Sequence, residues 1–212
     1  DKCIREIKKN GQQRYDELLN VINKIRKNVN KCKYISIPCE ELKNENNVFD
    51  VDVTKLIINV NNSGITGKQL GDILRYKYNI EVEMDSLKYV LGITTVCDDY
   101  KELERLAEAL KEIDKSLEEK QNENISVELL KNKRMYSIYE TDLKEKNTVN
   151  LFDSKDCISG EFVFLYPPGI PLVVPGEVIT EELLEQIKVY LEANMNISGL
   201  KDNSNKTIEV VK

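Results

Sequence analysis

Three carboxylates alternate along "NIEVEMDS": Glu81, Glu83 and Asp85. On an extended segment this spacing puts them on one face, where they could hold a cation or simply meet water at a sheet edge. A second group lies in "FLYPPGIPLVVPGE", Phe164 to Glu177, which holds four of the chain's five prolines. Each proline fixes φ and removes a backbone donor, so this segment is excluded from any central strand. Gly169 and Gly176 supply positions where φ can be positive or the backbone can approach something closely. Tyr166 and Glu177 are its polar members, with Ile170, Leu172, Val173 and Val174 held between the prolines. Such a loop is either a rigid corner or a preformed wall of a site.

The chain has no histidine, and so lacks the commonest general acid/base and the commonest metal ligand. Its five cysteines (Cys3, Cys32, Cys39, Cys97, Cys157) are scattered, with no CxxC pair. This count and spacing favour reduced thiols in a cytoplasmic protein over a disulfide scaffold or a metal site. Catalysis by these residues alone would need Cys, Lys, Tyr or carboxylates, and no pattern pairs them. Nothing in the chain is assigned a catalytic or metal-binding role on these grounds.

The elements that must carry these groups are legible from periodicity. Ile4, Ile7, Gly11, Tyr15, Leu18, Ile22, Ile25 and Val29 recur at spacings of three and four, which predicts a long amphipathic helix to about Asn30. "KYISIP" reads as a short strand and "TKLIINV" as a buried one. Thr66 with Gln69 forms a capping box for a helix bearing Leu70, Ile73 and Leu74. "NIEVEMDS" and "KYVLGITTV" read as two strands joined at Asp85–Leu87. Asp98 or Asp99 then caps a helix striped with Leu103, Leu106, Leu110, Ile113 and Leu117. Helix, strand, helix and paired strands make a small α/β sandwich with helices on one sheet face. "EEKQNEN", Glu118 to Asn124, is a polar linker. Beyond it a smaller α+β unit is expected: a helix around Ser126–Leu130, a poorly patterned stretch to Asn147, strands at "TVNLF" and "EFVFLY", and a helix capped by Thr180. The organisation is thus 1–117, a linker at 118–125, and 126–212.

At 212 residues and a formal net charge of −6, the chain is not suited to nucleic acid as a main partner. The basic exception is Asp1–Lys33, with ten Lys/Arg against four acids, read as the solvated face of the first helix. No apolar run is long enough to span a bilayer. The chain starts without methionine and inside a helical pattern, which suggests a fragment of something longer.

The block "YPPGIPLVVPGEVITEELLEQIKVYLEANMNISGL" resembles the C-terminal domain of the pyridoxal-phosphate-dependent ornithine/lysine/arginine decarboxylases. Tyr166, Pro167, Pro168, Gly169, Ile170 and Pro171 fit that family's first motif, and Pro175, Gly176 and Glu177 its second. "GITGKQLGDILRYKYNIEVEMDSLKYVLGITTVCDDYKELERLAEAL" is similar to the family's small aminotransferase-type domain. The fold implied is α/β (α+β): a small domain of a fold-type I pyridoxal-phosphate enzyme, then a smaller decarboxylase C-terminal domain. In "SKDCISGEF", Asp156 and Cys157 stand where the family carries a Gly-Arg pair, so no role carries over there. The family's Ser-x-His-Lys motif cannot be in a chain without histidine, so its cofactor domain is expected upstream.

The resemblance implies a basic amino-acid substrate, arginine or lysine ahead of ornithine, and pyridoxal phosphate held mainly by an N-terminal domain. It further implies a role in polyamine biosynthesis and a homo-oligomer, with this part inactive alone. Glu83, at the family's Ile-x-x-Glu position counted from Ile80, is implied to contact the distal cation of the substrate. Tyr166, Pro167, Pro168, Gly169, Pro175, Gly176 and Glu177 are the active-site loop candidates. No arginine falls on a predicted strand of the small domain, which suits a decarboxylase better than an aminotransferase. The alternative is a non-catalytic α+β regulatory or interaction module.

Overall fold

The computed structural model describes residues 1–43, 48–60, 62–119 and 130–212. It divides into two units, Asp1–Asn124 and Ile125–Lys212. In the first, α1 runs Lys2–Val29, with Arg26 and Lys27 in its last turn, where cations suit the helix dipole. β1 (Ile35–Ser36), β2 (Lys55–Val60), α2 (Gly67–Tyr78), β3 (Met84–Asp85), β4 (Tyr89–Ile93) and α3 (Tyr100–Ser116) follow. The four strands form an antiparallel sheet in the order β1-β2-β4-β3.

The period-two alternation of β2 turns Leu56, Ile58 and Val60 inward. They pack with Leu18, Ile22, Ile25 and Val29 of α1, Leu70 and Leu74 of α2, and Leu103, Leu106 and Leu110 of α3 in one apolar cluster. The apolar stripe of α1 is buried only from Leu18 onward; Ile4, Ile7 and Tyr15 are exposed. The α2 capping box is present in full, with Gln69 N–H donating to Thr66 Oγ1 at 3.1 Å and Thr66 N–H to Gln69 Oε1 at 2.8 Å. Asp99 caps α3. Asp114, also on α3, fixes the entry to β1 by accepting from the backbone N–H groups of Lys33, Tyr34 and Ile35.

The second unit contains α4 (Ile138–Asp142), β5 (Lys146–Asn150), β6 (Val163–Leu165), β7 (Ile170–Val173), α5 (Glu181–Glu192), β8 (Ile197–Ser198) and β9 (Thr207–Val211). β5 pairs with β9, and β6 lies between β7 and β8, all antiparallel. Leu151, Val163, Leu165, Val173, Ile179, Leu183, Ile187, Ile208 and Val210 are buried there. Thr180 caps α5 as its sequence predicts, accepting from Leu183 N–H at 3.2 Å.

Several expectations need correction. The strand read from "NIEVEMDS" shrinks to Met84–Asp85. "TVNLF" is strand only to Asn150, after which Leu151–Asp153 forms a single 3-10 turn. The stretch before Asn147, poorly patterned in sequence, contains α4 and the start of β5. The helix expected around Ser126–Leu130 lies, apart from Leu130, outside the described residues, as does most of the Glu118–Asn124 linker.

Candidate functional site

In the first unit, the three alternating acids do not share one environment. Glu81 accepts from Arg75, with Nε at 2.9 Å, so its charge is matched on the spot. Asp85 is partly buried beneath Gly71, with Lys68 Nζ at 3.8 Å, and burial pushes its carboxyl above the usual carboxylate range despite that lysine. Glu83 differs from both. It is exposed, its N–H is fixed to Leu91 O at 2.8 Å, and its carboxylate enters no ion pair among the described residues. Its position is set by the sheet through that backbone bond.

No arginine lies in β1–β4. Those nearest in sequence are engaged: Arg26 donates to the carbonyls of Val53 and Lys55, Arg75 meets Glu81, and Arg105 meets Glu102 and the Tyr78 carbonyl. This edge therefore offers a carboxylate to a cation and no guanidinium to a carboxylate.

In the second unit, the proline segment proves to be two structures in series. Tyr166–Gly169 is the turn of the β6–β7 hairpin, closed by Gly169 N–H on Leu165 O at 2.8 Å. Both the Tyr166–Pro167 and Pro167–Pro168 bonds are cis. Tyr166 is 56% exposed, and a Cβ on Gly169 would meet nothing within 4 Å. Pro171 sits in β7, an edge strand, in keeping with its exclusion from the sheet interior.

Pro175–Glu177 is the opposite case. Pro175 and Gly176 are buried, and Gly176 holds φ at +94°. A Cβ there would lie 2.2 Å from Tyr136 O and 2.7 Å from Thr141 Oγ1, so only glycine fits. The Gly176 carbonyl accepts from Met135 N–H (2.8 Å) and Tyr136 N–H (3.2 Å), and its own N–H donates to Ser159 O (2.8 Å). Glu177 turns its carboxylate inward, accepting from Val174 N–H at 3.1 Å and Asn132 Nδ2 at 3.3 Å. This end of the segment is a fold junction. Of the loop candidates, Tyr166, Pro167, Pro168 and Gly169 are therefore presented to solvent, while Pro175, Gly176 and Glu177 are tied into the unit.

Sequence reasoning missed Glu161. Only 6% exposed, it accepts from Lys201 N–H through Oε1 (2.9 Å) and from Glu209 N–H through Oε2 (2.7 Å), joining the loop before β6 to the approach to β9 and to β9 itself. Its neighbours in "SGEF" carry no pattern that would have singled it out.

The comparisons with known proteins agree with this architecture. Residues 118–203 match the family described as Orn/Lys/Arg decarboxylase, C-terminal domain. The chain is similar to the C-terminal part of that decarboxylase family, the resemblance that the proline motifs carried. Among individual relatives, the arginine decarboxylase of Bacillus subtilis (strain 168) is 34% identical over 215 residues, covering 100% of this chain and 44% of that protein. The arginine decarboxylase of Bacillus anthracis is 28% identical, with the same coverage of 100% and 44%. The chain thus spans less than half the length of the curated relatives it matches. In fold it is similar to the lysine decarboxylase of Francisella novicida, with a TM-score of 0.72 at 17% identity over 95% of this chain and 40% of that one. The constitutive lysine decarboxylase of E. coli gives a TM-score of 0.72 at 15% identity, over 97% and 41%.

Proposed function

We propose that this chain is the small domain and C-terminal domain of a pyridoxal-phosphate-dependent basic amino-acid decarboxylase, converting arginine, lysine or ornithine to the amine and CO2, with arginine favoured. The observation that carries the reading is similarity over the full chain to proteins named arginine decarboxylase, at 34% identity for one of them. Bound pyridoxal phosphate would supply the electron sink for the electrons left behind by CO2. The described residues do not fit a seat for it: every described lysine is at least partly exposed, and Lys68 and Lys146 each face a carboxylate. The cofactor is therefore assigned to an N-terminal domain, and the chain alone is inactive.

The part left to these residues is recognition. Glu83 offers an unpaired carboxylate to the distal cation. The lack of an arginine on the sheet leaves the α-carboxylate unclamped, which avoids stabilising the ground state over the charge-dispersing transition state. Tyr166–Gly169 is the portion of the proline segment free to face a site. The unbridged cysteines support a cytoplasmic setting, and polyamine biosynthesis and homo-oligomer assembly complete the reading. Expression of the complete coding sequence, followed by amine and CO2 release from arginine, lysine and ornithine, tests it. Turnover of one of the three is expected; a full-length protein that binds pyridoxal phosphate yet decarboxylates none of them overturns it.

A further inference from the structure

The end of α2 decides how the acids that follow it are presented. Asn79 takes a φ of +51°, and Ile80 N–H closes the reversal by donating to Leu74 O at 2.9 Å. Ile80 and Val82 then pack against the apolar cluster of the first unit, while Glu81 and Glu83 between and beyond them are exposed. Two residues apart, their Cα atoms are separated by at most ~7 Å. Two exposed carboxylates that close would make a seat for two positive charges.

The same reversal lays Glu81 alongside Arg75, six positions earlier on α2. The guanidinium meets the carboxylate at two points, Nε donating to Oε2 at 2.9 Å and Nη2 to Oε1. A fork of this kind fixes geometry as well as charge. The neighbouring cations of α2 and α3 are committed elsewhere: Lys77 to Glu112, Arg105 to Glu102, and Lys68 to Asp72 and Asp85. With Glu81 matched by Arg75, the Glu81–Glu83 pair keeps one net negative charge.

That single charge matters for a reaction that removes a carboxylate. A basic amino acid carries its distal cation together with an α-carboxylate. The amine left after loss of CO2 carries two cations and no carboxylate. A seat with two negative charges therefore favours product over substrate, and slow product release limits turnover. We propose that Arg75 is a specificity-determining residue: by occupying Glu81, it leaves Glu83 as a seat for one cation and keeps the dicationic product from being retained. The inference rests on the decarboxylase reading and on Glu83 meeting the substrate's distal cation.

The test is calorimetric titration of agmatine, the amine that decarboxylation leaves from arginine, into the complete protein at low ionic strength. Arg75→Gln should bind agmatine about three- to tenfold more tightly than the parent, because it frees a second carboxylate near the first. Its thermal unfolding should be unchanged, since Arg75 and Glu81 are both exposed. Arg75→Lys keeps the cation and should bind as the parent does. Arg75→Gln combined with Glu81→Gln should lose the gain, because the freed carboxylate is gone. An agmatine affinity that Arg75→Gln leaves unchanged overturns the proposal, as does a gain that persists in the double variant. Glu83→Gln, measured alongside, separates this inference from the reading beneath it. If Glu83→Gln weakens agmatine binding while Arg75→Gln changes nothing, only the role of Arg75 falls; if Glu83→Gln changes nothing, Glu83 is not the seat and both fall.

Discussion

Glu83 and Glu161 are carboxylates with opposite commitments. Glu83 is held by its backbone and free at its head, so Glu83→Gln in the complete decarboxylase should leave the fold alone and weaken substrate recognition. Replacing a charge-assisted bond by a neutral one predicts a loss of about 1.5–3 kcal/mol in kcat/KM for the preferred basic amino acid. An unchanged kcat/KM would make Glu83 a solvated edge residue only. Glu161 uses both oxygens on backbone N–H groups. In Glu161→Gln one oxygen becomes an NH2 that opposes a donor, so this nearly isosteric change should cost roughly 2–4 kcal/mol of stability. Chemical denaturation of the two proteins measures it, and a difference below about 0.5 kcal/mol would show that the amide finds another arrangement.

At the scale of elements, the proline segment divides into a free tip and a buried foot, and its glycines should respond accordingly. Gly176→Ala meets the Tyr136 carbonyl and demands a positive φ, predicting a loss of about 3 kcal/mol or more in thermal or denaturant unfolding. Gly169→Ala has the same backbone strain but open space, so its loss should be the smaller. Equal losses would mean that the contacts beneath Gly176 contribute little. Much of this unit and the first was legible in advance, because caps and periodicity act locally: Thr66, Asp99 and Thr180 begin the helices that their sequence positions predict. β3 was overread because alternation of charge in "NIEVEMDS" looks like a strand, whereas Glu81 is drawn off by Arg75 and only Met84 and Asp85 pair with β4. α4 was unreadable for a different reason. Met135, Ile138, Tyr139 and Leu143 do recur at helical spacing, but α4 itself is only five residues, too short for that pattern to stand out from a loop. β9 did carry a signal, the buried Ile208 and Val210 of "TIEVV", but its partner β5 lies too far away in sequence to be inferred from it.

For the whole molecule, one acid-sensitive point lies in the second unit at Asp202. Its carboxylate accepts from the N–H groups of Ser204, Lys206 and Thr207 and from the hydroxyls of Ser204 and Thr207. Those donors, the Ser204 side chain first, hold its carboxyl far below the usual range. A folded-state pKa below the unfolded value of about 3.9 means that its stabilisation is present above that value and is lost as pH falls below it. Asp202→Asn should therefore lower the melting temperature at pH 7, and the gap from the unaltered protein should close toward about pH 2. A gap of constant size across that range would place the acid sensitivity elsewhere.

Pro171 has a consequence for what this protein does when crowded. β7 is the outer strand of its sheet, a row of backbone groups that could template another chain, and Pro171 interrupts that row with a residue that has no N–H to offer. The β7 edge is thereby a poorer template for edge-to-edge growth into fibres. Pro171→Val should leave the unit folded while raising thioflavin-positive aggregation on prolonged incubation. If the variant stays as clear as the parent, the edge is guarded by something other than its proline.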